Sequence, residues 1–109
     1  TYTLQNGEFP YCIARRFNVN PDELLSLNGL YDGGLFMPGL TLRIPQTGNP
    51  FPAARALRPH PATYVVASTG ETFSSVACLY GDVDPSAIAS YNSLSVGSAL
   101  SVGQTLQIP

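Results

Sequence analysis

Lysine is absent from this chain, and charged residues make up only 11% of it, where about a quarter is usual. The five cations are Arg15, Arg16, Arg43, Arg55 and Arg58, set against a net charge of −2. They form no run that would neutralise successive phosphates, which excludes a nucleic-acid partner of the usual kind. A basic membrane anchor is excluded for the same reason. Apolar runs are short as well, so membrane insertion is not expected, and no signal-peptide pattern stands at Thr1 of the given sequence. There are only two cysteines and one histidine, too few for a familiar metal-ligand pattern. What the chain does have is apolar content, 44% of its 109 residues, enough to offset chain entropy in a folded core.

Self-comparison is the informative test, because a fixed offset means that a structural unit is used twice. MPGLTLRIP at 37–45 is echoed by SVGQTLQIP at 101–109. From Pro21 onward an offset of 64 needs no gap, and ten of twenty-five positions are identical, among them Pro21 with Pro85, Asn28 with Asn92, Gly33 with Gly97 and Ile44-Pro45 with Ile108-Pro109. Upstream, an offset of 63 pairs Gly7-Glu8 with Gly70-Glu71 and Ile13-Ala14 with Val76-Ala77, while Tyr2 and Tyr64 stand near the two starts. The repeats occupy residues 1–46 and 62–109. Residues 47–61 between them are rich in proline and lack periodicity, which reads as an extended, semi-rigid linker.

Each repeat gives the same local structure. TYTLQ and ATYVVAS are β-prone and end at a glycine turn. Phe9, Ile13, Ala14 and Phe17, like Phe73, Val76, Ala77 and Tyr80, recur at helical spacing. Thr72 is a good N-cap, and in the first copy Phe9 takes that place with Pro10 at the first helical position. Asn20-Pro21 and Asp84-Pro85 start a second helix, which Asn28 and Asn92 close by bonding local backbone. TLRIP and TLQIP are short strands stopped by proline. The order is strand, helix, helix, strand, so the expected class is α+β: two small units, each with two helices packed on a two-stranded antiparallel sheet.

At this point the residues resemble a known family, the lysin motif or LysM domain. The first copy carries its running pattern at Tyr2, Gly7-Glu8, Ile13-Ala14, Asn28, Leu30, Gly39, Leu42 and Ile44-Pro45. The second carries it at Tyr64, Gly70-Glu71-Thr72, Val76-Ala77, Asn92, Leu94, Gly103-Gln104, Leu106 and Ile108-Pro109. The resemblance implies a βααβ fold that binds glycans containing N-acetylglucosamine, chiefly peptidoglycan or chitin, in a shallow groove between two loops. Carried over by position, the groove falls at Gly7, Glu8, Phe9, Pro10, Gly29, Leu30, Tyr31 and Asp32 in the first copy. In the second it falls at Gly70, Glu71, Thr72, Phe73, Ser93, Leu94, Ser95 and Val96. The first copy departs from the pattern, with Phe9 in place of the usual threonine and Leu40 in place of the usual glutamine, so the second is the better glycan-binding candidate. The turn before Gly70 is also one residue longer than its counterpart.

Glu8 and Glu71 each stand alone in their repeats, without the second carboxylate that glycoside hydrolysis requires, so no catalytic residue, cofactor or metal is expected. His60, between two prolines and without a partner in sequence, reads as solvent-exposed. Cys12 aligns with Ser75 and Cys78 with Arg15, so the cysteines are not equivalent. On a helical wheel Cys12 meets the edge of the apolar face and Cys78 falls nearly opposite, exposed. That placement suggests a disulfide, either between the two repeats or between neighbouring chains. Two functions follow. The leading one is a non-catalytic, extracellular or cell-wall-associated glycan-binding protein. The alternative is a self-assembling surface or filament protein in which copies of the chain are each other's partners, motivated by the low charge and by Cys78.

Overall fold

The helices begin where the sequence supplies an acceptor or a proline. In the computed structural model, which describes all residues except 32, 33 and 35, the order is β1 (Tyr2–Thr3), α1 (Pro10–Phe17), α2 (Pro21–Leu27), β2 (Thr41–Leu42), β3 (Ala62–Val65), α3 (Phe73–Tyr80), α4 (Pro85–Tyr91) and β4 (Thr105–Ile108). The Asn20 side chain accepts from the amides of Asp22 and Glu23, and Asp84 accepts from Ser86. Thr72 and Ser75 form a reciprocal capping box on α3. Phe9 caps α1 without a side-chain bond, and Pro10 follows at the first turn, where a missing N–H costs nothing.

Each repeat pairs its own strands antiparallel, Tyr2 opposite Leu42 and Tyr64 opposite Leu106. Two separate cores result, Leu4, Ile13, Ala14, Leu24 and Leu42 in the first repeat, and Val66, Phe73, Val76, Ile88, Leu106 and Ile108 in the second. These βααβ units are the α+β architecture that the repeat pattern predicts. The closing asparagines do more than cap. Asn28 donates to the carbonyls of Leu24 (2.7 Å) and Arg43 (2.9 Å) and accepts from the Arg43 amide (2.7 Å). Asn92 repeats the clamp on Ile88 and Gln107. One side chain thereby ties the end of the second helix to the chain fifteen residues on, at or next to the closing strand.

The two units pack on each other. The radius of gyration, 14.0 Å, is close to the ~13 Å of a single compact body of this length. Helix α1 lies against α3, and Cys12 and Cys78 are joined by a disulfide, with Cα atoms 5.5 Å apart. This corrects the expectation that Cys78 is exposed. It is 8% accessible, because the face of α3 that looks polar on a helical wheel is covered by the other repeat. A second contact sets the turn of the first repeat on the start of α3. A side-chain carbon on Gly7 would stand 2.5 Å from Ser75 Cβ, and the Thr72 hydroxyl donates to the Asn6 carbonyl at 2.9 Å.

Residues 46–61 are packed along this body, unlike a free spacer. Phe51 is buried in the first core, where its ring meets Tyr11 edge-on and lies 4.7 Å from the Arg15 guanidinium. Arg55 donates to the carbonyls of Arg15 (3.0 Å) and Arg16 (2.5 Å), and the Leu57 amide donates to the Tyr80 carbonyl (2.8 Å). Gly81 has φ +99, and a side chain there would collide with the Arg55 carbonyl, so the strap passes α3 at a point only glycine permits. His60 is also held, contrary to the exposed reading. Its Nδ1 is 2.8 Å from the Pro109 carbonyl and its Nε2 is 2.8 Å from Asp82, partners that lie too far away in sequence to be anticipated.

Candidate glycan-binding grooves

The turn between the first strand and first helix of each repeat is organised by a tyrosine and a glutamate. In the second repeat the Tyr64 hydroxyl donates to Glu71, whose carboxylate also accepts from the amides of Ala67 (2.9 Å) and Ser68 (2.6 Å) and from the Ser68 hydroxyl (3.0 Å). In the first, the Tyr2 hydroxyl donates to Glu8 at 2.7 Å, as does the Gln5 amide at 2.8 Å, and Arg16 adds an ion pair at 2.7 Å. Burial, followed by the adjacent carboxylate, pushes both tyrosines up to about 12. Both glutamates thus hold turns together, Glu8 in a buried ion pair and Glu71 in a more exposed setting.

Glu71 is held below the usual carboxylate range, first by the Tyr64 hydroxyl and then by the Ser68 and Ala67 donors, against some desolvation. A depressed native value stabilises the fold fully above the ordinary value of 4.5, and that contribution is lost as pH falls through the lower native value. Acid unfolding followed by near-ultraviolet circular dichroism is expected to show less loss of stability below pH ~4 in Glu71→Gln than in the unaltered chain.

Above this turn the second repeat has a cavity of about 220 Å³. Its lining comes from Glu71, Thr72 and Ser74 on one side and from Val96, Gly97, Ser98 and Ala99 on the other, with Gln5 and Asn6 of the first repeat closing one end. Of the residues expected from sequence, Glu71, Thr72 and Val96 meet here. Gly70 turns the chain at φ +85, Ser93 takes a left-handed conformation at φ +58, and Ser95 bonds the Ser98 hydroxyl at 3.0 Å. Leu94 anchors the loop through its amide, which donates to the Ala89 carbonyl. Phe73 is fully buried in the core, so its part is to fix the start of α3. Sequence reasoning missed Ser74, Ser98 and Ala99. Gly97 did carry a signal, its identity with Gly33.

The corresponding region of the first repeat is a cleft of about 280 Å³ with a different character. Among the described residues Phe9, Pro10, Tyr11, Pro21, Leu25 and Phe36 line it, and of these only Tyr11 carries a polar side-chain group. Phe9 and Pro10 are the expected residues that meet there. Gly7 is pressed against Ser75, Glu8 is buried with Arg16, Leu30 packs on the core, Gly29 turns at φ +65 and Tyr31 is exposed. Asp32 lies outside the described residues.

The paired tyrosine–glutamate turns and the asparagine clamps recur in both halves. The model of the LysM domain matches residues 2–45 and again 64–109, between them most of the chain. The chain belongs to the LysM domain family. LysM domains bind N-acetylglucosamine glycans such as peptidoglycan, and they are binding modules. Among similar proteins, one from Streptococcus mutans described as "Putative hydrolase" is 41% identical over 44 residues, 40% of this chain and 21% of that protein. The crystal structure of the Bacillus cereus spore cortex-lytic enzyme SleL aligns over 99% of this chain and 22% of its own, at 27% identity and a TM-score of 0.39. The chain thus spans about a fifth of the length of each of these. Among the described residues no helix is long and apolar enough to cross a membrane, and no cluster of three or more His, Cys, Asp or Glu could hold a metal.

Proposed function

We propose that this chain is a non-catalytic LysM pair that attaches, outside the cytoplasm, to peptidoglycan or chitin through the groove of its second repeat. The observation that carries the reading is that groove itself, a cavity that brings the polar side chains of Thr72, Ser74 and Ser98 together with the apolar side chain of Val96. An N-acetyl sugar needs that combination, hydrogen-bonding partners for its acetamido group and hydroxyls with an apolar contact for its methyl. The cleft of the first repeat offers aromatic faces with little hydrogen bonding and takes a secondary part. Glu8 and Glu71 are engaged in holding turns, which supports binding without catalysis. The Cys12–Cys78 bridge suits an oxidising compartment, and its formation within one chain removes an exposed Cys78 as a motive for assembly.

Because the groove is small and an uncharged sugar brings no charge attraction to it, the affinity of one groove for a short sugar is expected to be weak. Attachment to an insoluble polymer is therefore the direct test. The disulfide-intact chain is expected to co-sediment with purified peptidoglycan or with chitin beads and to be released by soluble chito-oligosaccharide. A chain that stays in the supernatant with both polymers contradicts the reading.

A further inference from the structure

The groove of the second repeat does not end within that repeat. Next to it is a cavity of about 310 Å³ between the two units, lined in part by Tyr2, Gln5, Arg16, Asp84, Pro85 and Ser86. Gln5, Ser74, Val96 and Gly97 line both cavities, so the two adjoin across the boundary between the second repeat and the first. The first repeat's wall is fixed where it stands. The Asn6 carbonyl holds the Thr72 hydroxyl, Gly7 is seated on Ser75 and the disulfide clamps α1 to α3. That wall also carries unused polarity. The Gln5 side chain spends one N–H on the Thr3 carbonyl at 3.0 Å, while its second N–H, its side-chain oxygen and the Asn6 side chain have no partner among the described residues.

We propose that a glycan bound in the second repeat's groove runs on over Gln5 into the intermodule cleft, so that the first repeat supplies part of the second repeat's binding site. This rests on the glycan-binding reading above and adds to it: the ligand is a chain of several sugars, and recognition belongs to the docked pair. Arg16, the cation lining the cleft among the described residues, is already paired with Glu8, so the wall offers no free positive charge to an anionic ligand. A neutral, hydroxyl- and acetamido-bearing polymer therefore suits it without a requirement for ligand charge. Among the described residues, the lining of the first repeat's own cleft comes from that repeat alone.

The test is calorimetric titration of the disulfide-intact chain with chitopentaose and with a muramic-acid-containing peptidoglycan tetrasaccharide. Two lost hydrogen bonds to sugar in Gln5→Ala/Asn6→Ala are expected to weaken binding about tenfold, with the melting temperature unchanged because both side chains are exposed. Gln5→Trp, which places a bulky ring where the two cavities meet, is expected to weaken binding of these oligosaccharides as much or more. If the unaltered chain binds and these variants bind equally well, the shared site is overturned and the glycan-binding reading stands. If the unaltered chain binds neither oligosaccharide, both are overturned.

Discussion

Replacing Cys12 and Cys78 together by serine is expected to lower the stability of the chain by about 4 kcal/mol in the chain-entropy model of cross-linking. The bridge joins positions 66 residues apart, so without it the unfolded chain regains the freedom of a long closed loop. The loss falls unevenly, because each repeat keeps its own strand pair and core, while the contacts of Gly7 with Ser75 and Asn6 with Thr72 depend on docking. Guanidinium unfolding of the oxidised chain and of the double serine variant measures the difference. The variant should unfold at a clearly lower midpoint, with the docked face exchanging amide protons first. Coincident unfolding curves would mean that the strap and the helix contact hold the units together unaided.

A comparable loss is expected from Glu8→Ala. The Glu8 and Arg16 side chains are 0% and 4% accessible, so removing the carboxylate leaves a guanidinium buried beside the disulfide sulfurs with its main partner gone. Breaking a buried pair in this way costs about 3–5 kcal/mol. Arg16 Nε already makes no hydrogen bond to a described residue, which leaves the group little to fall back on. The double variant Glu8→Ala/Arg16→Leu removes both charges and is expected to recover much of the loss. Thermal unfolding of the three proteins tests this, and a double variant no more stable than Glu8→Ala would contradict it. Glu71→Ala supplies the contrast: its carboxylate plays the same turn-holding part but is solvated, so the cost should be smaller.

The repeat was legible because its causes are local. Proline at the first helical turn, a cap residue before it, and a two-residue apolar alternation before a final proline each act within a few residues, and both copies carry them. Asn28 and Asn92 were readable as helix closers, but their bonds to Arg43 and Gln107 were not, since they depend on where the strand returns. Docking was the least legible part. Cys78 lies on a face that looks exposed within its own repeat and becomes buried only when α1 covers it. The same holds for Ser75, which takes the place of Cys12 in the alignment and serves as both cap partner and seat for Gly7. His60 and Phe51 lie in a proline-rich stretch with no periodicity, and their partners are 49 and 33 residues away.

Of the groove residues that the LysM resemblance implies, Glu71, Thr72 and Val96 line one cavity. Gln5 and Asn6 belong to that cavity through docking alone. Phe73 shows the limit of carrying a position over, because the residue after the cap points into the core whatever the loop beside it binds.

The most direct measurement is a nitrogen-15 chemical-shift map of the disulfide-intact chain titrated with chitopentaose. The predicted result is a contiguous set of shifting amides at Thr72, Ser74, Gly97 and Ser98, with Gln5 and Asn6 moving along the same saturation curve. Shifts confined to the cleft of Phe9, Tyr11 and Phe36, or an unchanged spectrum at saturating sugar, would contradict the account.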